Sequence, residues 1–348
     1  MFFASDNGGP VHPTILQAIS DANDGYRTGY GADKEMDQVR DLIRNVFEAP
    51  DAAVYLVPTG TAANSIALAT LCDPWQTIFC SPVSHIHEDE CNAPEFYSSG
   101  AKLTLVGGDD KMTPDALKAA ILTEENRGVH GPQRGPISIT QVTERGHVYS
   151  LQELNALCKT AKDFGLPVHL DGARFANAQV SLGCSAAEMT WKAGVDVVSF
   201  GGTKNGCMGV EAVVFFDPKH AWEFELRRKR GAHLFSKHRF LSAQMLGYLT
   251  NDLWLDTAKQ ANENCARLAE GLRSVPGVTF ETDPQANLFF ATMPRALHQK
   301  LFDAGAYYYI MRGALEGDDP QEPLLARFVC DWSIGAAGVD QFLAAAQS

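Results

Sequence analysis

The sequence predicts an α/β protein with a mostly parallel, doubly wound sheet, and the order of its segments is the main reason. Between residues 53 and 216, short apolar segments suited to buried strands alternate with helical or loop segments, which is typical of parallel sheets. After residue 216 this alternation gives way to a long helical region. We therefore expect a large domain over residues 1–250 and a small C-terminal α/β domain over residues 251–348.

The predicted strands are short apolar runs bounded by turn-forming residues. Those of the large domain are Ala53–Val57, Thr77–Cys80, Leu103–Val106, Ile137–Val142, Pro167–Leu170, Val195–Phe200 and Val210–Phe216. Those of the small domain are Val278–Glu281, Leu288–Met293, Tyr307–Met311 and Arg327–Trp332. A seven-stranded sheet followed by a smaller sheet is therefore expected.

Helices are predicted where apolar residues recur every three or four positions. Pro13–Ala22 and Glu35–Glu48 come before the first strand, Ala62–Leu71 follows it, and a helical region extends to about Arg273.

Two serine–glutamate pairs have the spacing of a capping box, in which each side chain accepts a hydrogen bond from the other residue's backbone N–H. The pairs are Ser150 with Glu153 and Ser185 with Glu188. We expect a connecting helix to begin at each serine.

Composition and charge exclude several classes of protein. The chain has 348 residues, of which 45% are hydrophobic and 20% charged, as in an ordinary globular enzyme. Its net charge of −13 argues against a nucleic-acid surface. No apolar run approaches the ~20 residues of a membrane span, and we see no signal peptide. The eight cysteines contain no CxxC pair, so we expect buried free thiols and a cytoplasmic protein.

Asp171 and Lys204 are the centre of the functional prediction. Each follows a predicted strand, and ligands of open α/β sheets bind beyond the carboxyl ends of the strands. The two side chains could therefore face one pocket. An aspartate and a lysine in one pocket suit pyridoxal phosphate (PLP), because the lysine forms the Schiff base and the carboxylate keeps the pyridinium nitrogen protonated.

Pro58, Thr59, Gly60 and Thr61 lie between a strand and an alanine-rich helix. Free N–H groups and the helix dipole at that point would suit a dianionic phosphate. The alternative is a plain strand–helix turn with a capping threonine. The spacing of a Walker loop is absent.

His85 lies in a segment with His87 and three acidic residues, which extends to Glu90. We predict no metal site here, since a third ligand of clear spacing is missing. The functional alternative is an aromatic ring stacked on a flat cofactor. The structural alternative is a loop of solvated charge.

Two arginines are candidates for binding a substrate carboxylate. Arg174 shares a short turn with Asp171, although the two could form only a surface ion pair. Arg327 opens an apolar strand in the prediction, where an arginine is usually exposed; a carboxylate clamp requires Arg174 beside it. The basic cluster Arg227–Arg230 is either a solvated helix face or a phosphate or subunit contact.

With these residues in view, the chain resembles the threonine aldolases and phenylserine aldolases of the β-eliminating lyase group, in the aspartate-aminotransferase-like class of PLP enzymes (fold type I). The resemblance covers nearly the whole chain. The matching motifs, in order, are Ser5–Asn7, Tyr30–Asp33, Pro58–Thr61, Ser84–His85, His169–Arg174, Lys204, Asn287–Phe289 and Arg327.

The resemblance implies a role for each matching residue. Lys204 would carry the cofactor, Asp171 would pair with the pyridinium nitrogen and His85 would stack on the ring. Thr59, Gly60 and Thr61 would bind the phosphate. The residues expected to hold the substrate carboxylate are Ser5, Arg174 and Arg327. Arg174 is also expected among the cofactor-binding residues, and Tyr30 among the substrate-binding ones. The family also implies a homo-oligomer, a dimer or tetramer, with Tyr30 and the Arg228–Arg239 region acting on a neighbouring subunit.

The activity implied by the resemblance is cleavage of L-β-hydroxy-α-amino acids to glycine and an aldehyde. One departure concerns the substrate's β-substituent, because Val142-Thr143-Glu144 stands where many threonine aldolases have Asn-Thr-His. The alternatives are another fold type I reaction, such as transamination, β-elimination or racemisation, and a non-catalytic binding protein. Fold alone does not decide between them.

Overall fold

A seven-stranded sheet forms the centre of the computed structural model, which describes residues 1–348. Its strand order is β1-β7-β6-β5-β4-β2-β3, and only β7 is antiparallel to its neighbours. The mostly parallel sheet is therefore confirmed. The strands are Ala53–Val57 (β1), Gln76–Cys80 (β2), Lys102–Leu105 (β3), Gln133–Thr140 (β4), Val168–Gly172 (β5), Val197–Gly201 (β6) and Glu211–Phe215 (β7).

Both faces of the central strands are buried, as their continuous apolar sequences require. Successive residues point to opposite faces, so Val198 and Val214 join the main core while Val197 and Val213 join a separate cluster. The main core contains 45 buried residues.

Helices cover the two faces. Those that precede or interrupt the large sheet are Pro13–Asp21 (α1), Lys34–Val46 (α2), Gly60–Leu71 (α3), His85–Glu88 (α4), Ala93–Tyr97 (α5), Pro114–Thr123 (α6), Leu151–Asp163 (α7) and Phe175–Leu182 (α8). The later ones are Ala221–Arg230 (α9), Arg239–Leu249 (α10), Leu253–Arg273 (α11), Arg295–Asp303 (α12) and Gly335–Gln347 (α13).

The two predicted capping boxes have different outcomes. Ser150 and Glu153 form both reciprocal hydrogen bonds and open α7. Ser185 and Glu188 also bond each other's N–H groups, at 3.2 and 2.8 Å, but the chain that follows forms consecutive turns. The predicted helix is therefore wrong, since a capping box fixes only one turn and the following residues close back through Gly194, whose φ is +110°.

The C-terminal part contains a four-stranded antiparallel sheet of order β10-β11-β9-β8. Its strands are Thr279–Phe280 (β8), Leu288–Pro294 (β9), Tyr309–Arg312 (β10) and Pro323–Val329 (β11). The prediction that Arg327 opens its strand is wrong, because Arg327 lies inside β11 and pairs with Tyr309 and Phe290. Leu324 and Leu325, which are buried, extend the strand on its N-terminal side.

Helix α11 contributes to two separate cores. Trp254 and Ala258 near its start pack in the main core, whereas Leu268 and Leu272 near its end pack with the small sheet. The N-terminus also reaches the second core, where Phe3 bonds through its backbone to Tyr307 and Val329 at 2.8 Å each. The domain boundary near residue 250 stays a prediction.

All eight cysteines are free, and six of them are buried. Cys184 is half-buried, and Cys91 is exposed, contrary to the expectation of buried thiols. Cys91 adopts a left-handed conformation in the tight connection after α4, which turns it away from the core. None of the helices is both long enough and apolar enough to cross a bilayer.

Candidate active site

A cavity of about 260 Å³ lies where strands β1, β5 and β6 end. Asp171, Lys204, His85 and the segment Thr59–Thr61 all line it. The structure therefore brings together the residues that the sequence predicts for cofactor binding, apart from Arg174. The remaining lining residues are Asn7, Pro58, Asn64, Glu90, Ala173, Thr203 and Glu211.

Asp171 is held rigidly on strand β5. Its side chain is 2% exposed, and its two oxygens accept hydrogen bonds from the backbone N–H of Ala173 and from Asn64 Nδ2, both at 3.0 Å. The Oδ1 atom of Asn64 is buried and has no partner. A buried, fixed carboxylate is suited to pairing with a cationic ring nitrogen.

His169, on the same strand as Asp171, connects that strand to its two neighbours. Its Nδ1 lies 3.0 Å from the Ser138 hydroxyl and its Nε2 lies 3.0 Å from the Ser199 hydroxyl. Burial lowers the pKa of His169 to about 4, although the nearby Asp171 opposes the change. His169 is therefore a neutral structural link between β4, β5 and β6.

Glu90 connects His85 to Asp171. Its Oε1 lies 2.8 Å from His85 Nδ1 and accepts a bond of 2.9 Å from Asn64 Nδ2, the group that also bonds Asp171. The hydrogen bond that Glu90 accepts from His85 raises the pKa of His85, while burial raises the pKa of Glu90. The interpretation as solvated charge holds for Glu88 and Asp89, which are exposed, whereas Glu90 is only 4% exposed.

Thr59 caps helix α3 by accepting a hydrogen bond from Ala62 N–H at 3.2 Å. The first N–H groups of a helix have no acceptors within it, so those of Gly60 and Thr61 are free for a ligand. A Cβ atom on Gly60 would meet nothing within 4 Å. The helix N-terminus thus faces open space, which is the geometry of an anion site.

Lys204 lies in a single 3₁₀ turn, Thr203–Asn205, directly after β6. The turn is anchored by Asn205, whose Nδ2 donates to the Tyr248 hydroxyl and the Trp254 carbonyl at 2.8 Å each. Gly206 completes it with φ +111°, a conformation that favours glycine. The lysine is therefore carried on a well-fixed backbone.

Glu211 is a second buried carboxyl group that the sequence analysis missed. It begins β7 and its Oε2 accepts a hydrogen bond of 2.8 Å from Gly202 N–H. Burial raises the pKa of Glu211 to about 7, and Thr203, Gly202 and Lys204 oppose the rise.

The two predicted carboxylate-binding arginines lie outside the cavity lining, and both bond the N-terminal segment. Arg174 donates from Nε and Nη2 to the two oxygens of Asp6, at 2.7 and 3.0 Å, in a buried pair. The surface pair with Asp171 is therefore replaced by a buried pair with Asp6. Arg327 donates from Nη2 to the Ala4 carbonyl at 3.1 Å, and its buried Nε has no partner.

The electrostatics confirm that these charges share one region. Burial lowers the pKa of Arg327, and the positive charge of Arg174 lowers it further. Although burial opposes it, the charges of Arg174 and Lys204 lower the pKa of Asp6. Glu144, at the departure from the family pattern, adds to the rise in the pKa of His85, after Glu90 and Asp171.

Ser5 and Tyr30 are not brought into the cavity. Ser5 accepts a hydrogen bond from Asn7 N–H at 3.2 Å, next to the buried Asp6. Tyr30 is 55% exposed, has a positive φ of 61°, and lies under Lys229, whose Nζ is 5.0 Å from the ring centroid. Their predicted roles stay predictions.

Three cavity residues were missed for identifiable reasons. Asn64 and Glu211 lie inside a helix and a strand, where sequence periodicity indicates only packing. Glu90 was grouped with exposed acids, although its distance of five residues from His85 was visible in the sequence.

Comparisons with known proteins agree with this geometry. Residues 3–294 match the family model described as β-eliminating lyase. The chain is 42% identical to the low specificity L-threonine aldolase of Pseudomonas aeruginosa over 95% of this chain and 92% of that protein. It is 40% identical to the enzyme of the same name from a Pseudomonas species, over 98% and 96% of the two chains.

A solved structure shows the same fold. The threonine aldolase of Leishmania major superposes with a TM-score of 0.91 and 24% identity, covering 99% of this chain and 97% of that chain.

Proposed function

The chain belongs to the β-eliminating lyase family, and from this membership and the cavity we propose that it is a PLP-dependent aldolase that cleaves L-β-hydroxy-α-amino acids to glycine and an aldehyde. The observation that carries the proposal is that a buried carboxylate, Asp171, and a strand-end lysine, Lys204, line one cavity with the N-terminus of α3. Its relatives from Pseudomonas are named low specificity L-threonine aldolases.

The residues present fit PLP. The cavity of about 260 Å³ is close to the lower limit of ~300 Å³ for ligand pockets. Space above Gly60 would accept a phosphate, Asp171 would hold the pyridinium nitrogen, and Lys204 would bind the aldehyde carbon covalently. When bound, PLP supplies an electron sink for the bond that breaks at Cα.

The protein's own contribution begins with orientation of the substrate. We assign the substrate carboxylate to Arg174 and Arg327, with Ser5, because the two arginines bond Asp6 and Ala4 on either side of Ser5 and Arg327 Nε has no partner. Fixing the carboxylate would set the angle of the Cα–Cβ bond, and such orientation contributes much of an enzyme's acceleration.

A proton must leave the substrate's β-hydroxyl group. Of the candidate bases His85, His87 and a bound water, His85 lines the cavity whereas His87 is exposed. We therefore assign the proton transfer to His85, with Glu90 holding its Nδ1 at 2.8 Å so that Nε2 is the free ring nitrogen.

We further propose a homo-oligomer in which Tyr30 acts on a neighbouring subunit's site. Its exposed ring and its absence from the cavity of its own chain support this assignment. Arg228 in the basic cluster is buried instead and donates to the Leu56 carbonyl at 3.2 Å, so the exposed residues of the Arg228–Arg239 region are the candidates for contact.

An aldehyde assay tests the reaction. We expect incubation with L-threonine or phenylserine to release acetaldehyde or benzaldehyde together with an equal amount of glycine. Keto acid without aldehyde would indicate transamination or β-elimination, and formation of the D-isomer would indicate racemisation. Purified protein that neither contains PLP nor changes its spectrum on adding PLP would favour the non-catalytic alternative.

A further inference from the structure

Glu211 is the one buried cavity carboxyl group to which the proposed reaction gives no task. Asp171 pairs with the cofactor ring and Glu90 holds His85, whereas Glu211 bonds only the turn that carries Lys204. It is 7% exposed and lines the cavity.

The strand register places Glu211 between Lys204 and the segment Thr59–Thr61, to which the cofactor's phosphate is assigned. On one side β7 pairs Glu211 with Val57, two residues before Thr59, and on the other side with Gly201, three residues before Lys204. Because β7 runs antiparallel, its first residue lies at the edge where β1 and β6 end.

The groups facing Glu211 include one of each charge, Lys204 and Asp171. Lys204 favours its ionised form and Asp171 disfavours it. Cys207 and Tyr248 also face it and are neutral, since burial raises the pKa of both well above their ordinary values and Glu211 adds to the rise. The segment Thr59–Thr61 brings no charged side chain.

We propose that Glu211 is the proton-linked member of the phosphate site, so that binding of the cofactor's dianionic phosphate at Thr59–Thr61 drives uptake of one proton by the Glu211 carboxylate. The proton comes from solvent and forms the neutral carboxylic acid. A dianion in the same small cavity repels a carboxylate strongly, because little water screens the two charges. Burial already brings the pKa of free Glu211 to about 7. The bound dianion must raise that pKa further, until the carboxyl group stays protonated at pH 8.

This inference rests on the proposed cofactor but not on the aldol reaction, and calorimetry of the apoprotein tests it. The probe is 4′-deoxypyridoxine 5′-phosphate, which lacks the aldehyde that Lys204 would attack. Titrations in two buffers of different ionisation enthalpy give the number of protons taken up. At pH 8 we expect wild type to take up about 0.9 proton more than Glu211→Gln, and at pH 6 about 0.1 more, because those fractions of a carboxyl group with a pKa near 7 are ionised.

The dissociation constant of wild type should also rise about tenfold per pH unit above pH 7 relative to that of Glu211→Gln. The amide oxygen of the variant can still accept from Gly202 N–H. Glu211→Asp keeps the charge and should keep the uptake. Unphosphorylated 4′-deoxypyridoxine should cause no proton uptake by Glu211 in wild type. Comparing the two probes on wild type therefore tests the inference without any variant.

Equal proton uptake at pH 8 by wild type and Glu211→Gln would overturn the inference while leaving the proposed function intact. Equal uptake with and without the phosphate group would do the same. Failure of the phosphorylated probe to bind at any pH would instead count against the proposed cofactor.

Discussion

The proposed reaction depends on the side-chain amine of Lys204, which no other residue supplies. We expect Lys204→Ala to lose the visible absorbance of the bound cofactor and at least about a thousandfold in turnover. Lys259→Ala is the matched control, because Lys259 is an exposed lysine of α11. An active, yellow Lys204→Ala protein would reject the assignment.

Glu90 acts through His85, so its replacement should change a pH profile as well as a rate. Glu90→Gln replaces the carboxylate that raises the pKa of His85 by a neutral amide, so the pKa of His85 should fall toward its ordinary value. We expect kcat/KM to drop about tenfold and its acid limb to move toward lower pH. Glu88→Gln, an exchange at the exposed neighbour, should change neither; an unshifted limb in Glu90→Gln would show that Glu90 does not tune His85.

His169 links the stability of the apoprotein to pH. Its pKa in the folded protein is about 4, below the ordinary 6.5, because of burial. Between pH 6.5 and 4, His169 binds a proton in the unfolded chain but stays neutral in the folded protein. The free energy of unfolding therefore falls as pH falls through this window. Wild type should lose about 3 kcal/mol more than His169→Asn between pH 7 and 4.

Chemical denaturation of the two apoproteins at one protein concentration would measure this difference. A difference in unfolding free energy that stays constant over the whole window would contradict the buried, neutral state of His169.

At the scale of elements, two strand–helix junctions contain glycines with opposite spatial requirements. A Cβ on Gly60 at the start of α3 meets nothing within 4 Å, whereas one on Gly201 at the end of β6 would lie 2.3 Å from the Ala173 carbonyl oxygen. Gly60→Ala should therefore change the unfolding free energy of the apoprotein by less than about 1 kcal/mol. It should nevertheless weaken PLP binding about tenfold or more, because the methyl group occupies the phosphate space.

Gly201→Ala should instead lower stability before cofactor is added, since the backbone of Ala173 cannot move without disturbing β5. Thermal melting of both apoproteins and fluorescence titration with PLP separate the two effects. If Gly60→Ala protein binds PLP as tightly as wild type, the assignment of the phosphate to the N-terminus of α3 is wrong.

For the whole molecule, the proposed sharing of active sites between subunits predicts complementation between inactive variants. Tyr30→Ala removes the side chain proposed to act in the neighbouring subunit's site. Lys204→Ala removes the amine from the active site of the subunit that carries the substitution. If each is nearly inactive alone, an equal mixture refolded together should recover about a quarter of wild-type activity, because half of the pairs are mixed and each has one complete site. A Tyr30→Ala protein with full activity, or a mixture without recovery, would contradict the sharing of Tyr30.

Local signals in the sequence were sufficient wherever one segment decides its own structure. All seven strands of the large sheet were predicted. The inner strands are recognisable because buried strands need uninterrupted apolar runs, whereas β3 is an edge strand with no buried residue. The capped start of α7 was also predicted. Where a neighbour decides the outcome, the sequence was insufficient: the segment after Ser185 forms turns, and β11 begins before Arg327 because its partner β9 extends the pairing.

The sequence by itself determined the fold class, the strand ends that carry Asp171 and Lys204, and the strand–helix turn before α3. Only the tertiary structure decided which distant groups surround them: Asp6 on Arg174, Glu90 on His85, and Glu211 beneath the turn of Lys204. The physical reason is one of range. Periodicity and capping act over a few residues, whereas burial and ion pairing depend on contacts between segments far apart in the chain, which no short sequence pattern records.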